Sequence, residues 1–180
     1  IPRNDGTTYA DYLLNGIDIS CITIDGANRK WFGTLYNGAF LISTDNMETI
    51  HHFTSENSKL LSDNIESLEI NGNTGEVYIG TDKGLVSYMS DANNASSSMT
   101  KNSIYAYPNP VKPDYTGLIT VTGLTYNANV KIVTTGGIKV AEKTSNGGII
   151  TWDGCDMNGK KVASGIYNVI TATSDGSKGT

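Results

Sequence analysis

An internal repeat in the first 90 residues constrains the fold more than any other feature of this sequence. Equivalent positions lie 46 or 47 residues apart, as three pairs show: Ile24 and Ile70, Trp31 and Tyr78, and Gly38 and Gly84. The offset changes only within turns, because an extra residue inside a strand would move every side chain to the opposite face. A period of roughly 40–50 residues with about four strands per unit predicts blades of a β-propeller.

Each copy of the repeat reads as three strands separated by turns. Apolar residues alternate with polar ones at two equivalent pairs, which is the two-residue period of a half-buried strand: Ile22 and Ile24, and Leu68 and Ile70. Asn28 and Gly75 occupy the same place in the next turn, where a positive φ is predicted. Gly33 and Gly80 are predicted to allow close approach of backbones.

The predicted fold class is all-β: the last blades of a β-propeller followed by a small immunoglobulin-like β-sandwich. Residues 1–92 form the incomplete propeller of about two blades, and residues 93–103 read as a linker by composition. Residues 104–180 form the sandwich, since six short strands are separated by turn signals. These strands are Ile104–Tyr107, Leu118–Thr122, Asn129–Thr134, Ile138–Thr144, Gly148–Trp152 and Gly165–Thr173.

The end of the chain predicts an incomplete sandwich. Asp175 and Gly176 form a strong hairpin-turn signal, but too few residues follow for a stable returning strand. We therefore expect the sandwich to lack its last strand and the natural protein to continue past Thr180.

Composition excludes two classes of partner. The formal net charge is −5 and no basic patch is visible, so no nucleic acid is expected to bind. No apolar run is long enough for a transmembrane segment. Cys21 and Cys155 show no zinc-ligand spacing, and either one disulfide or two buried thiols fits the sequence.

His51 and His52 are the only histidines and lie in a predicted outer strand. A metal site with Glu48 or Glu56 is conceivable, but adjacent residues of a strand point to opposite faces, so both imidazoles cannot ligate together. Solvent-exposed histidines are therefore predicted.

Two groups of polar residues near turns are candidates for ions or catalysis. Asp153, Asp156 and Asn158 resemble a calcium loop, but their spacing does not fit, so turn stabilisation is predicted. The same role is predicted for Asp25, Asn71 and Asp82, since no paired carboxylate of a glycosidase recurs with them. We predict no catalytic, cofactor-binding or metal-ligating residue and no cofactor.

Large aromatic residues divide into two predicted groups. Trp31, Tyr78 and Trp152 have apolar neighbours and are predicted to be core anchors rather than sugar platforms. The second group clusters around the start of the sandwich and either seals the joint between domains or contacts a partner: Tyr105, Tyr107, Tyr115 and Tyr126.

Two sets of motifs resemble known families. Residues 64–68, 75–81 and 84–85 look like the two-component regulator propeller repeat, and the first copy matches through Trp31–Thr34 and Gly38, with Asn28 in place of the expected glycine. The second set resembles the FlgD-type immunoglobulin-like sandwich and the C-terminal sorting domains of the type IX secretion system of Bacteroidetes. Its members are Tyr107–Pro110, Val130–Ile132, Gly136–Gly137, Trp152–Gly154, Asn158–Gly159 and Ser164–Tyr167.

The combination is similar to PorZ-like surface components of type IX secretion. That resemblance implies an exported, non-catalytic scaffold or binding protein at the cell surface, the outer-membrane face or the periplasm. It also implies that the partners are other envelope or secretion proteins, or lipopolysaccharide or another glycan. The alternatives are the periplasmic sensor portion of a hybrid two-component regulator and a surface glycan-binding protein.

Overall fold

The computed structural model describes residues 2–3, 11–100, 102–173 and 178–179. Within these residues the protein is all-β, without a helix, and every pair of neighbouring strands is antiparallel. The predicted turn at Asp175 and Gly176 lies outside the described residues. The chain divides into two compact units, Ile1–Ser90 and Asp91–Thr180.

The first unit contains two sheets that follow the sequence repeat, together with a short strand pair. The strands are β1 (Pro2–Arg3), β2 (Asp11–Tyr12), β3 (Ile19–Ile24), β4 (Lys30–Thr34), β5 (Ala39–Ile42), β6 (Thr49–Phe53), β7 (Ile65–Asn71), β8 (Glu76–Thr81) and β9 (Gly84–Met89). β3, β4, β5 and β6 form a four-stranded sheet in chain order, and β7, β8 and β9 form a three-stranded one.

The two repeat sheets share details that the sequence did not reveal. The register between the first two strands shifts between Ile19 and Cys21 in one sheet and between Ile65 and Ser67 in the other. Such a shift marks a β-bulge, which bends a strand and increases its twist. The turn prediction is confirmed, since φ is 61° at Asn28 and 79° at Gly75.

The two repeat sheets stack in the same sense, with the front of one against the back of the next. Trp31 of β4 packs in a core with Val77 and Ile79 of β8. Tyr78 is the counterpart of Trp31 in the repeat, yet it alternates with Val77 and Ile79 and so faces the other side of its sheet. Equivalent residues of the two sheets therefore point in the same direction.

The remaining face of the four-stranded sheet is also apolar. Phe32, Phe40 and Ile42 form a small core there, against which Leu13, Leu14 and Ile17 pack. Ile22 and Ile24 of β3 lie on this face beside Phe32 and Lys30, and each is 57% exposed. The alternation predicted for this strand is present, but only part of its apolar side is covered.

The second unit is built from two antiparallel sheets. The six predicted strands are all confirmed, with ends that shift by two residues at most. They are β10 (Tyr105–Tyr107), β11 (Ile119–Thr122), β12 (Asn129–Thr134), β13 (Lys139–Thr144), β14 (Ile149–Trp152) and β15 (Tyr167–Ala172), and β16 is Lys178–Gly179. β10, β11 and β14 form one sheet, and the other has the order β13, β12, β15, β16.

The core of the second unit lies where inward-facing side chains of both sheets meet. Val121 and Trp152 from one sheet pack with Val130, Ile132 and Val140 from the other. Along β12, the buried Val130 and Ile132 flank the exposed Lys131, as expected for alternating faces, and Val133 on the opposite face is buried as well.

The segment before β10 lies against the second unit. The Gly148 N–H donates to the Asn93 carbonyl at 3.0 Å, and the Ser96 N–H donates to the Leu124 carbonyl at 2.8 Å. Met99 packs against the core of the same unit. Part of the stretch that composition assigns to a linker is thus held by backbone hydrogen bonds, which polar residues can make without large apolar side chains.

Candidate functional site

A buried ion pair holds the first turn of the four-stranded sheet. The Arg29 Nε donates to Asp25 Oδ2 at 2.8 Å, and the Trp31 indole N–H donates to the same oxygen at 3.3 Å. The other carboxylate oxygen accepts the backbone N–H groups of Ala27 and Arg29, each at 3.0 Å. The turn-stabilising role predicted for Asp25 is confirmed. Sequence reasoning did not single out Arg29, although an opposite charge four residues after Asp25 was a visible signal.

The guanidinium also reaches the end of the neighbouring sheet. The Arg29 Nη2 donates to Ser90 Oγ at 3.1 Å, and both residues are buried. Because Ser90 follows β9, the ion pair joins the two repeat sheets of the first unit. The four groups that donate to the Asp25 carboxylate all belong to its own turn and to β4, so Asp25 has a structural role.

Two aromatic rings pack against Trp31 and against each other. Phe53 stacks on Trp31 with ring centroids 5.7 Å apart, and Tyr88 packs against both rings. The ring centroid of the exposed His51 lies 5.4 Å from that of Phe53 and 6.4 Å from that of Tyr88. Trp31 is fully buried, which confirms it as a core anchor.

The two histidines lie on opposite faces of β6, as predicted. His52 stacks on Phe40 with ring centroids 4.0 Å apart, and the His52 Nε2 lies 2.7 Å from the Asn37 carbonyl oxygen. His51 points instead toward the Trp31 side of the sheet. Both are exposed, and so are Glu48 and Glu56. Within residues 12–100 and 102–173, no cluster of three or more His, Cys, Asp or Glu side chains could hold a metal ion.

The second copy of the repeat differs at the positions that matched Asp25 and Trp31. Asn71 Oδ1 accepts the Asn73 N–H at 3.0 Å, so this turn role is confirmed. Tyr78 is only partly buried, outside the shared core, and the prediction that it anchors the core is wrong. Its hydroxyl donates to Glu76 Oε2 at 2.8 Å. Hydrogen bonds from Ser87 and then Tyr78 hold the pKa of Glu76 below its usual value.

Turn chemistry also explains the acidic loop after β14. The Cys155 N–H donates to Asp153 Oδ1 at 3.0 Å, and this bond holds the pKa of the Asp153 carboxyl below its usual value. Asp156 Oδ1 accepts the N–H groups of Asn158 and Lys160, each at 2.9 Å. The predicted turn roles of both aspartates are therefore confirmed.

The remaining predicted residues have ordinary structural environments. Cys21 and Cys155 are free and partly buried, which resolves the choice that the sequence left open in favour of thiols. Trp152 is buried in the core of the second unit, as predicted, and its indole N–H donates to the Cys155 carbonyl at 2.8 Å. The backbone N–H of Asp82 donates to the Asn64 carbonyl at 3.3 Å.

A tyrosine-rich surface of the second unit is the strongest candidate for binding. Tyr105 and Tyr107 of β10 are 61% and 48% exposed, and their rings lie 6.1 Å apart. Immediately after them, Pro108, Pro110 and Tyr115 help to line an open cup of about 420 Å³. Lys112 and Asp114 also line it, so apolar walls are combined with both signs of charge.

Another polar cluster lies on the outer side of β12 and β13. Glu142 accepts a hydrogen bond from the Lys139 Nζ and another from the Asn129 side chain at 3.0 Å. Lys131 approaches the same carboxylate at 3.6 Å. These interactions, with Lys139 first, lower the pKa of Glu142 to about 2. The cluster is solvent-exposed and consists of partners that satisfy one another, so it offers no separate ligand site.

Among solved structures, PorZ is similar to this chain in both fold and sequence. The chain is 34% identical to PorZ of Porphyromonas gingivalis, described as an essential bacterial surface component of the type IX secretion system, with a TM-score of 0.59. The match covers 93% of this chain but 22% of PorZ, so the chain spans about a fifth of that protein's length.

More distant matches are extracellular domains of regulators from B. thetaiotaomicron. One belongs to a putative hybrid two-component system, with 18% identity, a TM-score of 0.38, and coverage of 89% of this chain and 26% of that one. Another belongs to a putative one-component system, with 16% identity, a TM-score of 0.35, and coverage of 94% and 25%. No protein-family model matches this chain, and no curated protein does so either.

Among the described residues, no helix is both long enough and apolar enough to cross a membrane.

Proposed function

We propose that this chain is part of a PorZ-like surface component of type IX secretion that acts as a non-catalytic scaffold and binding module. The observation that carries the proposal is the match to PorZ, at 34% identity over 93% of the chain. A match of that extent includes most of both units, so it does not rest on one repeated motif. By the same relation, the protein is exported to the cell surface or the periplasm.

The packing of the first unit supports its proposed place in a β-propeller. Successive propeller blades are small antiparallel sheets arranged around an axis, each presenting the same face in turn. Same-sense stacking of the Trp31 side against Val77 and Ile79 is the contact that this arrangement requires. The exposed Ile22 and Ile24 fit a face that a preceding blade of the same protein covers. The second unit would then be the FlgD-like sandwich.

The proposed mechanism is presentation of loops and edges on rigid sheets. Binding residues are commonly found on loops held by such a scaffold. The Tyr105 and Tyr107 surface with its adjoining cup is the proposed contact for an envelope or secretion protein, or for lipopolysaccharide or another glycan. Tyrosine suits both kinds of partner, because one ring supplies a large apolar face and a polar hydroxyl.

Deletion of the gene in its own bacterium tests the proposal. We expect proteins with type IX sorting domains to accumulate inside the envelope and to return to the surface when the gene is restored. A Tyr105→Ser/Tyr107→Ser double variant should restore export poorly, whereas an Ile166→Ser control should restore it fully. Normal export in the deletion strain would refute the proposal, and an altered transcriptional response alone would favour a sensor. Purified protein should show no turnover on a panel of glycans.

A further inference from the structure

Five asparagines of this sequence are followed directly by a glycine: Asn15, Asn37, Asn71, Asn146 and Asn158. In such a pair the backbone nitrogen of the glycine can attack the side-chain Cγ of the asparagine, because glycine has no side chain that obstructs the approach. The attack requires a glycine N–H that is not engaged in a hydrogen bond and reacting atoms that can come together. The five pairs are equivalent in sequence, so their surroundings in the structure decide which of them reacts.

Backbone hydrogen bonds engage the attacking nitrogen in two of the pairs. The Gly38 N–H donates to the Asp63 carbonyl at 2.9 Å. The Gly159 N–H donates to the Asp156 carbonyl, also at 2.9 Å. Each bond has to break before the nitrogen can reach the asparagine side chain, which raises the barrier to reaction in both pairs.

The pair at Asn146 is restrained in a different way. Its side-chain nitrogen, the group that must leave as ammonia, donates to Asp91 Oδ2 at 3.1 Å. Gly147 is buried, so water, which must complete the reaction, has little access to this pair.

The pair at Asn71 has none of these restraints. Asn71 is exposed at the end of β7, in the turn that leads to β8. Among the described residues, neither the Gly72 N–H nor the Asn71 Nδ2 group has a hydrogen-bond acceptor. The attacking nitrogen and the leaving nitrogen are therefore both available.

The Asn71 side chain is also activated by its hydrogen bonds. Its Oδ1 accepts the Asn73 N–H at 3.0 Å and the Thr74 N–H at 3.4 Å. These two donors draw electrons away from Cγ and stabilise the negative charge that develops on Oδ1 when a nitrogen attacks, as in an oxyanion hole. Asn15 is exposed too, but no described residue donates to its side chain.

We propose that Asn71 is a site of spontaneous deamidation, in which the Gly72 nitrogen forms a bond to Asn71 Cγ and the Nδ2 group leaves as ammonia. The Gly72 proton passes through solvent to the leaving nitrogen. The succinimide ring that results then reacts with water, which opens it to aspartate or isoaspartate. Water is the only co-reactant, and nothing is oxidised or reduced. The proposal does not depend on the proposed role in secretion.

The new carboxylate arises where the second copy of the repeat cannot neutralise it. In the first copy, the equivalent Asp25 is paired with Arg29. In the second copy, Glu76 occupies the place of Arg29 and lies directly opposite Asn71 across β7 and β8. Like charges that face each other in an antiparallel pair are destabilising, so deamidation should weaken this hairpin.

Incubation of the purified, folded chain followed by peptide mapping with mass spectrometry tests the proposal, because replacement of the amide by a carboxyl group changes the peptide mass. We expect Asn71 to react fastest of the five, at least about tenfold faster than Asn37, Asn146 and Asn158. In concentrated urea the five rates should become similar, because the surroundings that distinguish the pairs are lost. Faster reaction at another of the five in the folded chain would overturn the proposal.

Gly72→Ala identifies the attacking nitrogen. A side chain is compatible with the backbone here because Gly72, unlike Gly75, is not among the described glycines with a positive φ. The added methyl group obstructs the attack, so the rate at Asn71 should fall at least about fivefold while the rate at Asn15 stays the same. An unchanged rate at Asn71, with an unchanged circular dichroism spectrum, would also overturn the proposal.

Thermal unfolding of Asn71→Asp measures the effect of the new charge. This variant carries the aspartate product and should unfold at a lower temperature than the original chain. Glu76→Gln removes the opposing charge and should abolish most of that difference when both changes are present. A decrease that persists undiminished in the double variant would refute the proposed repulsion.

Discussion

At the scale of single residues, Asp25 shows how one carboxylate organises a turn and a core together. It accepts hydrogen bonds from two backbone N–H groups, from the Arg29 side chain and from the Trp31 indole. A buried charge is costly unless it is paired and hydrogen-bonded, and here both conditions are met. At the equivalent Asn71, the turn bond to Asn73 is kept, but no charge is buried.

Replacement of Asp25 should therefore destabilise the first unit strongly. Asp25→Ala leaves the buried Arg29 guanidinium without its carboxylate, and we expect a loss of about 3–5 kcal/mol in the free energy of unfolding. Urea denaturation in a Trp152→Phe background would measure it, since Trp31 then reports on the first unit alone.

Asn71→Ala is the matched control for that measurement. It removes the acceptor of an exposed turn, and the expected loss is about 0.5–1.5 kcal/mol. Equal losses for Asp25→Ala and Asn71→Ala would contradict the importance assigned to the buried ion pair.

At the scale of strands, Gly33 and Gly80 show that equivalent sequence positions need not have equivalent surroundings. A Cβ on Gly33 would collide with Cys21 Sγ and come within 2.7 Å of Ile65 Cγ2, in the space between the stacked sheets. A Cβ on Gly80 would meet chiefly the hydroxyl of Ser67. The predicted close approach of backbones is not found at either glycine, because the nearest atoms at both are side-chain atoms. Each glycine instead leaves room for a side chain of the paired strand, and Gly33 also leaves room for Ile65 of the neighbouring sheet.

Gly33→Ala should consequently cost more than Gly80→Ala. Overpacking of a filled core costs about 1–3 kcal/mol, and Ile65 is fully buried and cannot move aside. The Ser67 hydroxyl can rotate, so Gly80→Ala should change stability by less than about 0.5 kcal/mol. Thermal unfolding of the two variants measures the difference, and a greater loss for Gly80→Ala would count against this account of the sheet packing.

The strands were predictable because alternation and turn residues are local signals. Asn28 and Gly75 specify their turns by tolerating a positive φ, and the offset of the repeat located both. The bulges beside Ser20 and Glu66 were not predictable, since nothing in these residue types marks an unpaired position. The wrong prediction for Tyr78 has a similar cause: the sequence identifies the alternating faces of a strand but not which face a neighbouring sheet covers.

At the scale of each whole unit, the polar segment 91–99 contributes more than its composition suggests. Asn93 pairs with Gly147, and a Cβ on Gly148 would lie 2.5 Å from the Asn94 carbonyl oxygen. The absence of a side chain at Gly148 therefore lets the segment lie directly against the second unit. Composition could not indicate this contact, because it is made mainly by backbone atoms.

Gly148→Ala should displace this segment. The expected result is faster proteolytic cleavage within residues 94–100, together with a loss of about 1–3 kcal/mol in stability. Limited proteolysis followed by mass spectrometry would locate the cut. Gly165→Ala is the control, since a Cβ there meets nothing within 4 Å. Identical cleavage of both variants and the original chain would argue against a stabilising role for the segment.

Same-sense stacking of the repeat sheets has an evolutionary consequence. Each sheet offers on one side the contact that it accepts on the other, so tandem duplication of the coding segment can lengthen the series without inventing a new interface. Gains and losses of single units then leave existing contacts intact, and substitutions such as Trp31 against Tyr78 can accumulate independently once a unit has been copied.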